Sequence, residues 1–171
     1  MSTLPVVLRD AEPADLAAAS ALLREAYAEH VTDVPPERQQ AASAYLADVA
    51  DVWSRVGTSE LVVAEVDGRL AGAVTFYPVA SGEGHGWPQG WSAIRLLGVG
   101  PADRGRGIGR MLTEECLRRA RALEVPVVGL HTTKGMAVAK AMYERMGFVR
   151  VPAYDFHPSP SIDVIAYKLD L

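Results

Sequence analysis

The chain has 171 residues, 49% hydrophobic and 22% charged, with a formal net charge of −4. That balance belongs to a globular protein with core enough to fold without disulfide or metal staples, and it excludes the broad basic surface of a nucleic-acid binder. Cys116 is the only cysteine, so no intrachain disulfide forms; no run of about 18 apolar residues marks a membrane span; and residues 1–10 lack a signal-peptide core, so a cytoplasmic protein is expected.

Val6 to Leu8 reads as a short strand. Asp10 or Pro13 opens a helix to about Glu29, with Leu16, Ala19, Leu22, Leu23 and Ala26 on one face. Pro35-Pro36 breaks the chain, and a second helix is expected over about Glu37 to Trp53. Glu60 to Val66 alternates as a strand, Asp67-Gly68 makes a hairpin turn that needs positive φ at both residues, and Leu70 to Tyr77 returns. Residues 78–90 form a loop rich in Gly and Pro, followed by a strand at Ser92 to Val99. Pro101 to Arg106 is a turn and Gly107 to Glu124 a helix, its inner face Ile108, Leu112, Cys116, Ala120 and Leu123. Then come a strand at Pro126 to His131, a helix at Gly135 to Met146 stopped by Gly147, and strands at Phe148 to Val151 and Ile162 to Leu169 as an antiparallel pair. Strands and helices alternate in the second half, which predicts an α/β layered domain spanning residues 1–171.

The strongest chemical signal is Arg104-Gly105-Arg106-Gly107-Ile108-Gly109, between an apolar strand and an amphipathic helix. The first N–H groups of a helix lack internal partners, and the helix dipole is positive there. Glycines remove side chains that would keep an anion from those N–H groups, while Arg104, Arg106 and Arg110 add charge, so the turn is predicted to cradle a pyrophosphate. No G-x-x-x-x-G-K-[ST] string occurs, and neither Gly98/Gly100 nor Gly107/Gly109 has the third glycine of a dinucleotide fingerprint.

This segment resembles the acetyl-CoA signature [Q/R]-x-x-G-x-[G/A] of the GNAT superfamily of N-acetyltransferases. Ala141-Met142-Tyr143-Glu144-Arg145-Met146-Gly147-Phe148 is similar to that family's second block, in the right order downstream. The resemblance covers roughly residues 60–151. It implies a mixed, mostly antiparallel sheet flanked by helices and opened in a V, with acetyl-CoA as co-substrate and a primary amine as acceptor. It implies that Tyr143 lies beside the coenzyme sulfur and protonates the departing thiolate. It also implies that the backbone of Leu97, Gly98 and Val99 meets the pantetheine arm, and that the Val99 N–H steadies the oxyanion. Relatives often carry an Asn where this chain has Met136, so Thr133 or the backbone is expected to stand in for that cofactor contact. The partner is a small-molecule or peptide amine, and a homodimer is allowed, since relatives often form one.

The strand Ser92-Ala93-Ile94-Arg95-Leu96-Leu97 lacks the carboxylate that many relatives use as general base, leaving Glu83, His85, Asp155, His157 or a water chain. Asp155, in the Pro-rich aromatic segment Pro152 to Ser161, is a candidate to receive an ammonium group. His131 reads as structural, and the loop around His85 as either a surface loop or a substrate lid. The four histidines show no ligand spacing such as H-x-x-x-H, so no metal is expected. Two other readings stay open: a non-catalytic acyl-CoA-binding module, and the same fold with another acyl donor or acceptor.

Overall fold

The computed structural model describes residues 4–159 and 162–171; Pro160 and Ser161, near the end of the Pro-rich segment, lie outside them. The chain forms two compact units, Met1–Thr75 with Leu96–Glu115 and Phe76–Arg95 with Cys116–Leu171.

In the first unit, β1 (Val6–Asp10) pairs antiparallel with β2 (Glu60–Val66), Val6 opposite Val66 and Asp10 opposite Val62. Asp67 and Gly68 have φ of 51° and 74°, as the hairpin turn into β3 (Arg69–Tyr77) requires. The first helix starts later than its apolar pattern predicts, because Pro13–Asp15 form a 3₁₀ turn. Asp15 there accepts the Glu12 N–H at 2.7 Å and binds the Arg9 guanidinium. Helix α1 (Leu16–Ala28) then buries Ala19, Leu22, Leu23 and Ala26, the face expected from the 3.6-residue period. Helix α2 (Gln39–Ala50) packs against it, and the Ser20 hydroxyl donates to the Ala50 carbonyl at 2.7 Å.

Strand β4 (Ser92–Val99) and helix α3 (Ile108–Ala122) run through both units. In the second unit β4 pairs parallel with β5 (Val127–Thr133), with Ser92 opposite Val128 and Ile94 opposite Leu130. Helix α4 (Ala137–Arg145) leads to β6 (Val149–Arg150), which pairs antiparallel with β8 (Ile162–Asp170), as expected. β5 also pairs antiparallel with β8. The Pro-rich segment is more ordered than its composition suggests: a 3₁₀ turn at Pro152–Tyr154 and β7 (Phe156–Ser159), antiparallel to β8. The strand order is β1-β2-β3-β4-β5-β8-β6, with β7 on β8. This is the mixed, mostly antiparallel α/β sheet flanked by helices that the sequence predicts.

Candidate active site

The turn before α3 owes its shape to glycine. Gly105 and Gly107 each have φ of 76°, and a Cβ at either would meet nothing within 4 Å, so conformation, not crowding, requires glycine there. The Gly107 carbonyl accepts the Met111 N–H at 3.0 Å and starts the helix. The N–H groups of Ile108, Gly109 and Arg110 therefore have no intrahelical acceptor. Gly109 and Arg106 are half-buried, Arg104 and Arg110 exposed, and Ile108 buried, so the isoleucine anchors the turn.

Carboxylates hold each arginine of the turn. Arg104 donates to Glu29 at 2.8 Å and to the Ala26 carbonyl at 3.3 Å. Arg106 donates to Asp103 at 2.9 Å, and Arg110 to Glu114 at 2.7 Å. Asp103 is 2% exposed and also takes both terminal nitrogens of Arg69, at 2.6 and 2.9 Å. The Arg69 guanidinium, seconded by Arg106, holds the Asp103 carboxyl below its usual range, and Arg104 does the same to Glu29. Sequence reasoning missed Asp103 and Glu29; the Asp103-Arg104-Gly105-Arg106 alternation was the signal for the first.

Two further glycines set the distances around this turn. A Cβ on Gly72 of β3 would stand 2.9 Å from Ile108 Cγ2 and 3.0 Å from Leu112 Cδ1. A Cβ on Gly98 of β4 would stand 2.9 Å from Leu23 Cδ2 and 3.2 Å from Ala26 Cβ. Gly98 thus lets α1 lie against β4. The Leu97 carbonyl accepts the Tyr27 hydroxyl at 3.0 Å, a partner the sequence did not suggest. Leu96, one residue earlier, has φ of 56°, an uncommon conformation for a side chain of this size, and it re-aims β4 just past its segment paired to β5.

Tyr143 lies in α4, buried, its ring edge-on to Phe148 with centroids 5.6 Å apart. Burial pushes its phenol well above the usual tyrosine range, with a smaller contribution from Cys116, so the hydroxyl keeps its proton. Thr133 ends β5 half-buried, and its carbonyl accepts the Met136 N–H at 3.1 Å, at the start of α4. Cys116 is fully buried.

Of the other polar candidates, Asp155 is committed elsewhere. It takes Arg150 through both oxygens at 2.7 Å and the Ala166 N–H at 2.7 Å, and the Arg150 hydrogen bond leads in holding its carboxyl at about 2. His157 is paired with Asp163 at 2.9 Å. The stretch around His85 is not a plain surface loop: Ala80, Glu83 and Trp87 are buried, and the Trp87 ring lies on Gly129, whose Cβ would meet it at 2.9 Å. His131 of β5 stacks at 4.4 Å from Trp87 and lies 5.5 Å from His85, centroid to centroid. Spacing gave no ground for a metal, yet folding brings Glu83, His85 and His131 together.

The strand order is that of a mixed α/β sheet with a Gly-rich turn at the start of α3. The chain belongs to the acetyltransferase (GNAT) family, whose model matches residues 19–148. Among solved structures it is similar to the PaiA N-acetyltransferase of Thermoplasma acidophilum in complex with coenzyme A (TM-score 0.73, 14% identity, 97% of this chain and 100% of that one). It is also similar to yncA of Salmonella typhimurium, solved with its cofactor acetyl-CoA (TM-score 0.66, 19% identity, 97% and 94%). By sequence it is 32% identical over 102 residues to a mycothiol acetyltransferase of Thermomonospora curvata, covering 58% of this chain and 31% of that one. A mycothiol acetyltransferase of Beutenbergia cavernae is 43% identical over 61 residues, covering 36% and 20%. The matched segments thus span a third or less of those relatives. Among the described residues, no helix is long and apolar enough to cross a membrane.

Proposed function

We propose that this chain moves the acetyl group of acetyl-CoA to a primary amine by direct attack, with no covalent enzyme intermediate. The observation that carries the reading is the open, left-handed Gly105/Gly107 turn at the start of α3, with its arginines already positioned. Backbone N–H groups from Gly107 to Arg110 receive the coenzyme diphosphate, and Arg104, Arg106 and Arg110 lie around the same turn. The backbone of Leu97, Gly98 and Val99 receives the pantetheine arm, with Thr133 as a further contact. On this proposal residues 1–171 make up one transferase domain.

In the reaction the amine lone pair attacks the thioester carbonyl carbon, and the developing oxyanion is held by the Val99 N–H. One such donor is worth about 3 kcal/mol. The carbon–sulfur bond then breaks, and the Tyr143 phenol gives a proton to the departing sulfur as the thiol forms. The amine gives up its own proton to solvent. The phenolate regains a proton from solvent as the thiol product leaves, which balances the proton that the amine released.

The test is thiol release from acetyl-CoA across a panel of amino acids, polyamines, peptide N-termini and aromatic amines, with calorimetry of coenzyme A binding beside it. Tyr143→Phe is expected to lower kcat roughly 10²–10⁴-fold with coenzyme affinity nearly unchanged. Full activity in that variant removes Tyr143 from the reaction. Coenzyme binding without thiol release on any amine would instead make the chain a binding module.

A further inference from the structure

Outside the residues assigned to acetyl transfer, one group of polar atoms is buried and unanswered. Among the described residues, Glu83 Oε1, His85 Nδ1 and His131 Nδ1 are shielded from solvent and have no hydrogen-bond partner. Each of the three side chains offers one nitrogen or carboxylate oxygen, and these lie within 4.8 Å of one another. The Glu83 side chain is 1% exposed, and its Oε1 stands 3.3 Å from His85 Nδ1 without hydrogen-bond geometry.

The opposite end of two of these side chains is fixed. Glu83 Oε2 accepts the Trp87 indole N–H. His131 Nε2 lies 2.8 Å from the Tyr154 carbonyl. A carbonyl only accepts, so Nε2 carries the proton and Nδ1 of the neutral ring is a bare lone pair. Aromatic rings line the remaining space: Phe156 lies 4.8 Å from His85 and 5.0 Å from His131, and Trp87 4.4 Å from His131, centroid to centroid.

We propose that Glu83 Oε1, His85 Nδ1 and His131 Nδ1 are the protein ligands of a divalent d-block cation of the zinc type. A proton shared between Glu83 and His85 answers two of the three atoms and leaves His131 Nδ1 buried with no donor. A cation answers all three. Two imidazoles and a carboxylate suit zinc, with imidazole disfavouring magnesium or calcium. Ligand atoms about 2.0–2.2 Å from a tetrahedral ion lie roughly 3.3 Å apart, the spacing Glu83 and His85 already have. Outer partners that fix the tautomer of a histidine and the free oxygen of a carboxylate are the ordinary support of such sites. The tryptophan and the Tyr154 carbonyl fill those two roles. Three ligands leave a fourth position for water. His85, on the β3–β4 connection and 27% exposed, is the side chain whose rotation admits the ion.

The test uses the full chain, stripped by a chelator, dialysed, and titrated with ZnCl2 by calorimetry and with CoCl2 by visible absorption. One equivalent per chain is expected, with a tetrahedral cobalt spectrum and a rise in Tm on zinc addition. Glu83→Gln keeps the acceptor for Trp87, and His85→Ala changes a loop residue, so both should fold; each is expected to weaken zinc at least about tenfold. His30→Ala should leave zinc binding as it is. No zinc heat and no cobalt spectrum would overturn the proposal and assign the space to a buried water or a shared proton. Undiminished binding in both Glu83→Gln and His85→Ala would also overturn it, by placing the ion elsewhere. None of these readings depends on acetyl transfer.

Discussion

Replacing Gly98 by alanine tests how closely α1 must approach β4 to shape the backbone around Leu97. The new Cβ would lie 2.9 Å from Leu23 Cδ2 and 3.2 Å from Ala26 Cβ. Ala26 Cβ is fixed to the helix, and Leu23 has no exposed surface into which it can turn. The helix must therefore retreat by a few tenths of an ångström, a case of overpacking that costs about 1–3 kcal/mol. For a chain of 171 residues this lowers Tm by roughly 2–12 °C. Retreat of α1 also draws Tyr27 from the Leu97 carbonyl, so coenzyme A affinity should fall with stability. Thermal unfolding followed by circular dichroism, paired with calorimetry of coenzyme A, reads both effects. A second substitution isolates the cause. Leu23→Ala alone leaves a cavity worth about 2–5 kcal/mol, and the alanine at 98 fills part of it. The double variant should then cost less than the sum by at least about 0.5 kcal/mol. Strict additivity, or Gly98→Ala melting within about 1 °C of the parent, would refute the reasoning.

Gly107→Ala forces a side chain into φ of 76° in otherwise open space, so it should destabilise by about 1–2 kcal/mol and weaken coenzyme A binding, read by unfolding and by calorimetry. Asp155, held at about 2 chiefly by Arg150 against an ordinary value of 3.8, contributes stability that is complete above pH 4 and lost as pH falls towards 2. Allowing for its partly wet partner, that contribution is on the order of 1–2 kcal/mol. Asp155→Asn should remove it at pH 7 and flatten the acid limb of denaturant stability between pH 4 and 2; an unchanged acid limb would show that the pair does not govern it.

The regular elements were legible because burial imposes a period. α1, β2 and β4 show their apolar faces in sequence, and Asp67-Gly68 declares its turn through residues that tolerate positive φ. The Gly-rich turn was legible because left-handed backbone leaves glycine as its trace. What escaped were features made by packing at long separation. Asp103 reaches Arg69 and Tyr27 reaches Leu97, and neither pairing has a local signature. Leu96 adopts positive φ without glycine, so nothing in its type announces the bend. The group around His85 was hidden for the same reason: a loop supplies two of its members and a strand the third, and motif spacing sees only ligands that share an element.

If the Gly-rich turn is the phosphate receptor proposed above, the acids beside it look misplaced, but the energetics favour them. A free arginine carries about 2 kcal/mol of rotamer entropy, which binding must remove. Glu29 and Asp103 remove it during folding, when their own ionisation is already favoured by the same contacts. Each guanidinium has five N–H donors, and one or two contacts to a carboxylate leave others for an arriving anion. In the proposed receptor the arginines then act as fixed positive walls, with the main-chain amides of α3 as the close contact. On this account a carboxylate at 103 assists anion binding although its charge has the wrong sign, because position outweighs charge at a site whose donors are mostly backbone.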